Sequence, residues 1–302
     1  SQVAKLNPHA LLEYQDPISK IFILNLDPIK KLLSPLYSAT GRPAERQSQI
    51  FRSLVLMTSL GYPLDKWVSK LTHNLVSQIA CGFGSKLPGV ASYYDFMNRL
   101  IQLDEKPRCK PRKSKPRNKF GKNKKLPPKH PGTVKRLVKE ILKGRRLHNR
   151  PERLLQEIFA TVAVKASMDM GLIDQTVSIL GDGTCMKTGA SPYGVKTCEC
   201  KSFACDCSRR FSDPTATWGW DSHNEQYFYG YTGYFISTYN KTEKLDLPLY
   251  LRLVEASRHD SVSAVIALAE FRELYPNLTI KNFISDSASD NYATYELLHQ
   301  WN

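Results

Sequence analysis

Residues 176–187 read TVSILGDGTCMK, and this stretch decides the fold. Val177, Ile179 and Leu180 make a short apolar run of strand type that ends at Gly181 and Asp182. Residues 227–239 alternate aromatic and small side chains, and residues 248–257 are rich in Leu, Tyr and Val, so two more strands are expected. Residues 261–275 carry Val262, Val265, Ile266 and Ala269 on one face and read as an amphipathic helix. Residues 280–284 form a fourth strand that runs into Ser285 and Asp286, and residues 292–301 return to helical spacing. Three strands, a helix, a strand and a helix predict an α/β domain over residues 176–302.

Upstream of Thr176 the period is helical. Ile50, Leu54 and Met57 repeat at helical spacing until Gly61 and Pro63, and a second helix is expected over residues 64–79. Ser92 with Asp95 has the pattern of a capping box and predicts a third helix through Leu100. Residues 1–103 therefore read as an all-α N-terminal domain, either a DNA-binding helix pair or an ordinary bundle. Residues 133–175 hold two more helices leading into the core: Val134, Leu137, Val138 and Ile141 form one stripe, and Leu154, Ile158 and Val162 form another before Gly171.

The net charge of +15 is local. Residues 106–150 contain nineteen Lys and Arg against the single acid Glu140, while the rest of the chain holds 24 basic and 27 acidic residues. Such a block selects a polyanion, because each phosphate contact releases condensed counterions. Lys110, Arg112, Lys113, Lys115, Arg117, Lys119, Lys122, Lys124 and Lys125 are the expected contacts to double-stranded DNA. Prolines 107, 111, 116, 127 and 128 and the scarcity of apolar side chains make residues 104–132 an expected disordered linker. No run of 18 apolar residues occurs, so no membrane span is expected.

Asp182 and Asp286 each close a predicted strand. Carboxylates at neighbouring strand ends suit magnesium or manganese, which prefer oxygen ligands and serve phosphodiester displacement. Cys198, Cys200, Cys205 and Cys207 crowd into a Cys-rich insertion at residues 190–215, where four thiolates suffice for one tetrahedral zinc. That usage implies a reducing compartment such as the cytoplasm. Trp218, Trp220 and the rings of residues 227–234, near Arg209 and Arg210, offer faces for unpaired bases, although packing within a core or sheet is the favoured role for most of them. His259 and Asp260 read as a turn before a helix, with Asp260 or Ser261 as its cap.

The segments ILGDGTCMKTG (179–189), FSDPTATWGWDSHNEQYFYGYTGYFIS (211–237) and FISDSASDNYATYELL (283–298) resemble successive blocks of the DDE transposases of bacterial insertion sequences. GRPAERQSQIFRSLVLMTSLGYPLDKWVSKL (41–71) is similar to that family's helical N-terminal block. The resemblance implies an RNase H-like catalytic domain with Asp182 and Asp286 as the first two catalytic acids, and Asp290 as the local rival to Asp286. It implies magnesium or manganese as cofactor, transposon ends and target DNA as partners, a bacterial cytoplasm beside the nucleoid, and leaves room for a homodimer. The family's third acid, a Glu on a later helix, normally lies well downstream. Here only sixteen residues follow Asp286, with Glu296 among them, so an incomplete catalytic domain is expected. A non-catalytic DNA-binding remnant or regulator is the alternative expectation.

Overall fold

The computed structural model describes residues 12, 15–38, 40, 46–101, 109–110, 132–145, 152–201 and 205–301. Its helices are α1 (Gln15–Ile23), α2 (Asp27–Leu33), α3 (Gln47–Ser59), α4 (Leu64–His73), α5 (Leu75–Cys81) and α6 (Val90–Ile101). After them come α7 (Thr133–Leu142), α8 (Arg153–Phe159), α9 (Asp260–Leu274) and α10 (Tyr292–Trp301). The chain divides into two units, residues 1–103 with 150–169, and residues 104–149 with 170–302. The segment 133–175, grouped above by its helical spacing, is thereby shared between them.

The first unit is helical, and its core gathers Ile21, Leu33, Leu56, Trp67, Tyr93 and Ile158. Both large rings close their polar atoms on one buried hydroxyl: Trp67 Nε1 donates to Ser53 Oγ at 2.9 Å, and the Tyr93 hydroxyl lies 2.6 Å from the same oxygen. The expected helix over residues 64–79 is two helices. Asn74 breaks it, because its side-chain oxygen accepts from the Ser77 N–H at 2.9 Å and caps α5. The expected capping box at Ser92 does not form either. Helix α6 already begins at Val90, and the Ser92 N–H donates to the Gly89 carbonyl at 3.0 Å within the first turn. Helix α8 continues through a π-helical turn, Ala160–Val164, into Lys165–Asp169.

The second unit is an α/β fold built on a mixed sheet. Its strands are β1 (Thr176–Lys187), β2 (Thr217–Asp221), β3 (Gln226–Asn240), β4 (Leu245–Glu255) and β5 (Thr279–Ser285). The long strand β3 pairs antiparallel with β1 and with β4, and its first residues, 226–230, pair with β2. The last strand, β5, pairs with β1 in parallel, which requires the crossover that α9 supplies. Strand order is thus β4, β3, β1, β5.

Helix α9 is buried all round from Ser261 to Ala269, which corrects its expected amphipathic character. The sheet covers one side, and Val138 of α7 packs on Val265 with Ala293 and Leu297 of α10. Small residues permit that close fit, with Ser263, Ala264 and Ala267 fully buried. On the opposite face of the sheet Leu180, Phe235, Leu251 and Ile284 stay exposed. Among the described residues no helix is long and apolar enough to cross a membrane.

Gly181 is held to glycine by space. A Cβ there would lie 2.5 Å from the Tyr234 hydroxyl and 2.7 Å from the Phe283 ring. Gly181→Ala is expected to destabilise the protein by about 1–3 kcal/mol. Tyr234→Phe in the same chain should return part of that loss, measured by urea unfolding of both variants and the double variant.

Candidate carboxylate and thiolate centres

Gly181 pairs with Ser285 in the parallel ladder, so the next residues, Asp182 and Asp286, stand at neighbouring positions where β5 ends. Asp182 also pairs with Phe235 and lies inside the β1–β3 ladder, with its Oδ1 accepting the Gly183 N–H at 2.7 Å. Both acids are exposed. Asp290 is otherwise engaged, accepting the Tyr295 hydroxyl at 2.8 Å, and Glu296 lies exposed on α10.

A third carboxylate joins this end of the sheet. A Cβ at Gly183 would lie 2.8 Å from Asp260 Oδ1, so the bare Cα beside Asp182 is what admits Asp260. The expected role of Asp260 or Ser261 as helix cap is corrected. His259 caps α9, its Nδ1 accepting the Ser261 N–H at 3.3 Å. That leaves the Asp260 carboxylate without a hydrogen bond among the described residues. Burial first, then the negative charge of Asp286, holds its carboxyl above the usual range, with Asp182 adding to the effect and His259 opposing it.

Two hydroxyls complete the surroundings. Tyr234 and Ser289 are buried, and neither hydroxyl completes a hydrogen bond, although the two lie close enough to interact. Every donor offered here is oxygen, which suits magnesium or manganese and not a soft metal. The carboxylate trio is open, for its oxygens do not fit within the 4.8 Å span that encloses the thiols described next. Spacing missed Asp260 because a helix start with His259, Asp260 and Ser261 offers three capping side chains. The usable signal was a glycine on each side of Asp182.

Of the four cysteines expected to act together, Cys198, Cys205 and Cys207 do so, and Cys200 stands outside that group. The sulfurs of Cys198, Cys205 and Cys207 all lie within 4.8 Å of one another, with Cys198 Sγ 3.7 Å from Cys205 Sγ. Cys200 Sγ lies 3.6 Å from Cys207 Sγ. A zinc tetrahedron with bonds of about 2.3 Å has sulfur–sulfur edges of about 3.8 Å, so the cluster can take a metal such as zinc with little movement. The Cys200 backbone N–H holds the Cys198 thiol down to about 7, close to the thiolate form a metal needs, whereas hydrogen bonding to Cys200 pushes Cys207 up to about 12. Purified protein is expected to carry one zinc per chain by atomic emission. Cys205→Ser should lose it, and a chain that is metal-free when prepared without chelators would sink the assignment.

Around the thiols, residues 109–110, 209–210 and 195–196 form a small antiparallel sheet, with Lys110 facing Arg209 and Cys109 facing Arg210. The basic segment is thus tied at Lys110 to the Cys-rich insertion. The remaining expected DNA contacts, Arg112, Lys113, Lys115, Arg117, Lys119, Lys122, Lys124 and Lys125, lie outside the described residues.

The aromatic expectation divides. Phe228 and Tyr234 are core residues, whereas Trp218, Trp220 and Tyr227 are 47%, 52% and 71% exposed and therefore free to stack on another molecule. Trp220 and Tyr227 meet edge to face across the β2–β3 ladder, with centroids 4.8 Å apart. No protein-family model matches the chain, and no curated protein or solved structure matches it.

Proposed function

We propose that the chain carries the catalytic centre of a DDE-type transposase on an RNase H-like fold. In this reading it hydrolyses DNA at the ends of a mobile element and joins the freed 3'-hydroxyl to target DNA. The observation that carries the reading is the adjacency of Asp182 and Asp286 at the ends of neighbouring parallel strands. The sheet order β4, β3, β1, β5, antiparallel except for the last pair, agrees with the fold that the sequence resemblance implies.

Asp182 and Asp286 would hold the metal. Magnesium or manganese supplies there the activation of water or a 3'-hydroxyl and the stabilisation of the leaving oxygen. The Gly183 N–H occupies one oxygen of Asp182 and fixes the rotamer, which leaves the other oxygen for a ligand. In each displacement an oxygen nucleophile forms the new bond to phosphorus as the old phosphorus–oxygen bond breaks, with no covalent enzyme intermediate. The basic block at residues 106–150 supplies the affinity for duplex DNA. Exposed Trp218, Trp220 and Tyr227 offer stacking faces for bases that become unpaired at a cut end.

The test is incubation of the purified chain with supercoiled plasmid and manganese. Nicked and joined products, lost on replacing either acid, support the proposal. Salt-dependent DNA binding without any metal-dependent cleavage would leave the DNA-binding regulator as the function.

A further inference from the structure

We propose that the Cys-rich insertion is a separate contact to duplex DNA, in which Lys110, Lys196 and Arg209 form one row of cations that a metal on the thiols holds in register. The proposal rests on the DNA partner given above and on the thiol centre, and is independent of the carboxylates.

The row comes from the register of the small sheet. Arg209, on its central strand, pairs with Lys110 on one side and with Lys196 on the other. Like charges at directly opposed positions of a ladder repel, so such a row needs an anion. Among the described residues no carboxylate forms an ion pair with Lys196, Arg209 or Arg210. The Nε of Arg209 is buried and finds no acceptor, while Nη1 donates to the Tyr193 carbonyl at 3.4 Å. Lys196 and Arg210 are exposed. Strands lie about 4.8 Å apart, so the row spans about 10 Å and can meet about three phosphates along one DNA strand. From Lys110 the sequence runs straight on into Arg112, Lys113 and Lys115, which makes the row the folded start of the basic block.

The thiols couple the row to a metal. Strands of two residues are not stable by themselves, and each of these three is that short. Lys196 lies two residues before Cys198, and Arg209 two residues after Cys207. The sulfurs of Cys198, Cys205 and Cys207 close the loop between them. Thr197 Oγ1 donates to the Ser208 carbonyl at 3.1 Å across its neck, and the Lys196 ammonium donates to the Cys200 carbonyl, which leaves two of its N–H groups for phosphate. A metal that draws the three sulfurs together therefore sets the position of Lys196 against Arg209.

The experiment is fluorescence anisotropy of the full, zinc-loaded chain on a short labelled duplex of mixed sequence, without magnesium or manganese, over a range of salt. Replacing Lys196→Gln and Arg209→Gln together should weaken binding about tenfold and lower the slope of log affinity against log salt by about two. Stripping zinc from the parent with a chelator should cause a loss of similar size, and stripping it from the double variant should add little. A double variant that keeps its zinc and binds with parental affinity and slope overturns the proposal and spares the DNA partner. A parent chain that binds no duplex overturns both, and parental binding that survives zinc removal unchanged overturns the coupling to the metal. Acetylation of lysines on the unaltered chain, read by mass spectrometry, keeps misfolding of a variant from deciding the matter. Lys196 should lose reactivity when DNA is bound, and equal reactivity with and without DNA overturns the contact.

Discussion

Asp182→Asn is expected to lower manganese-dependent DNA cleavage by about three orders of magnitude while leaving the melting temperature within about 2 °C of the parent. The asparagine oxygen can still accept the Gly183 N–H, so the β1 backbone keeps its contact. What disappears is the negative charge that draws a cation to the end of the sheet. Lewis-acid stabilisation of phosphodiester displacement is worth several kcal/mol, and each 1.36 kcal/mol is tenfold in rate, which sets the size of the effect. Asp286→Asn should behave alike, because its residue directly follows Ser285, the last paired position of β5 beside β1. The measurement is the initial rate of plasmid nicking, with thermal melting as the control for folding. A variant that nicks at the parental rate removes the acid it replaces from the chemistry. DNA binding should survive in either case, because the basic block lies elsewhere in the chain.

The architecture of the sheet was legible wherever a strand buries one face. Val177 and Ile179 in β1 and the alternation through β3 point at the core and showed it in the sequence. Strand β1 runs five residues past Asp182, and that extension was not legible. Thr184, Cys185, Met186 and Lys187 are exposed, so hydrogen bonds to residues 230–233 of β3 define this part and not burial. Strand β2 was missed for a related reason. Its two Trp rings face outward, and Gly219 faces inward against Phe228 and Ala256, so the residues that bury β2 belong to other segments.

The thiol cluster was legible because its partners, Cys198, Cys205 and Cys207, are close in sequence. The pair Asp182 and Asp286 came from strand ends and from resemblance, and its adjacency depended on a parallel register that periodicity does not encode. Asp260 was hidden by a local alternative. Three neighbouring side chains could each cap α9, and sequence alone does not say that the imidazole of His259 takes the position. The burial of α9 on every side was equally hidden, because α7, which covers its outer face, lies more than a hundred residues upstream.

Glu270→Ala is expected to cost about 3–5 kcal/mol of stability. Arg252 of β4 is 3% exposed and is paired with Glu270 of α9, and the Tyr250 hydroxyl donates to the same carboxylate. The Nε of Arg252 finds no acceptor, so Glu270 carries most of the compensation for burying that guanidinium. Truncating Glu270 leaves a charge that can neither deprotonate nor reach water. The loss should appear as a fall in melting temperature of roughly 6–20 °C for a unit of this size. Arg252→Met with Glu270→Leu separates the charge penalty from packing. Removing both charges with apolar groups of similar length should restore most of the stability, since replacing a buried pair is often neutral while breaking one is not. If the single and the double replacements fall equally, the ion pair is not what couples α9 to β4, and apolar packing of Leu249, Val254 and Phe271 holds the helix on the sheet instead. That coupling bears on the carboxylate centre as well, because the same helix presents Asp260 at its other end.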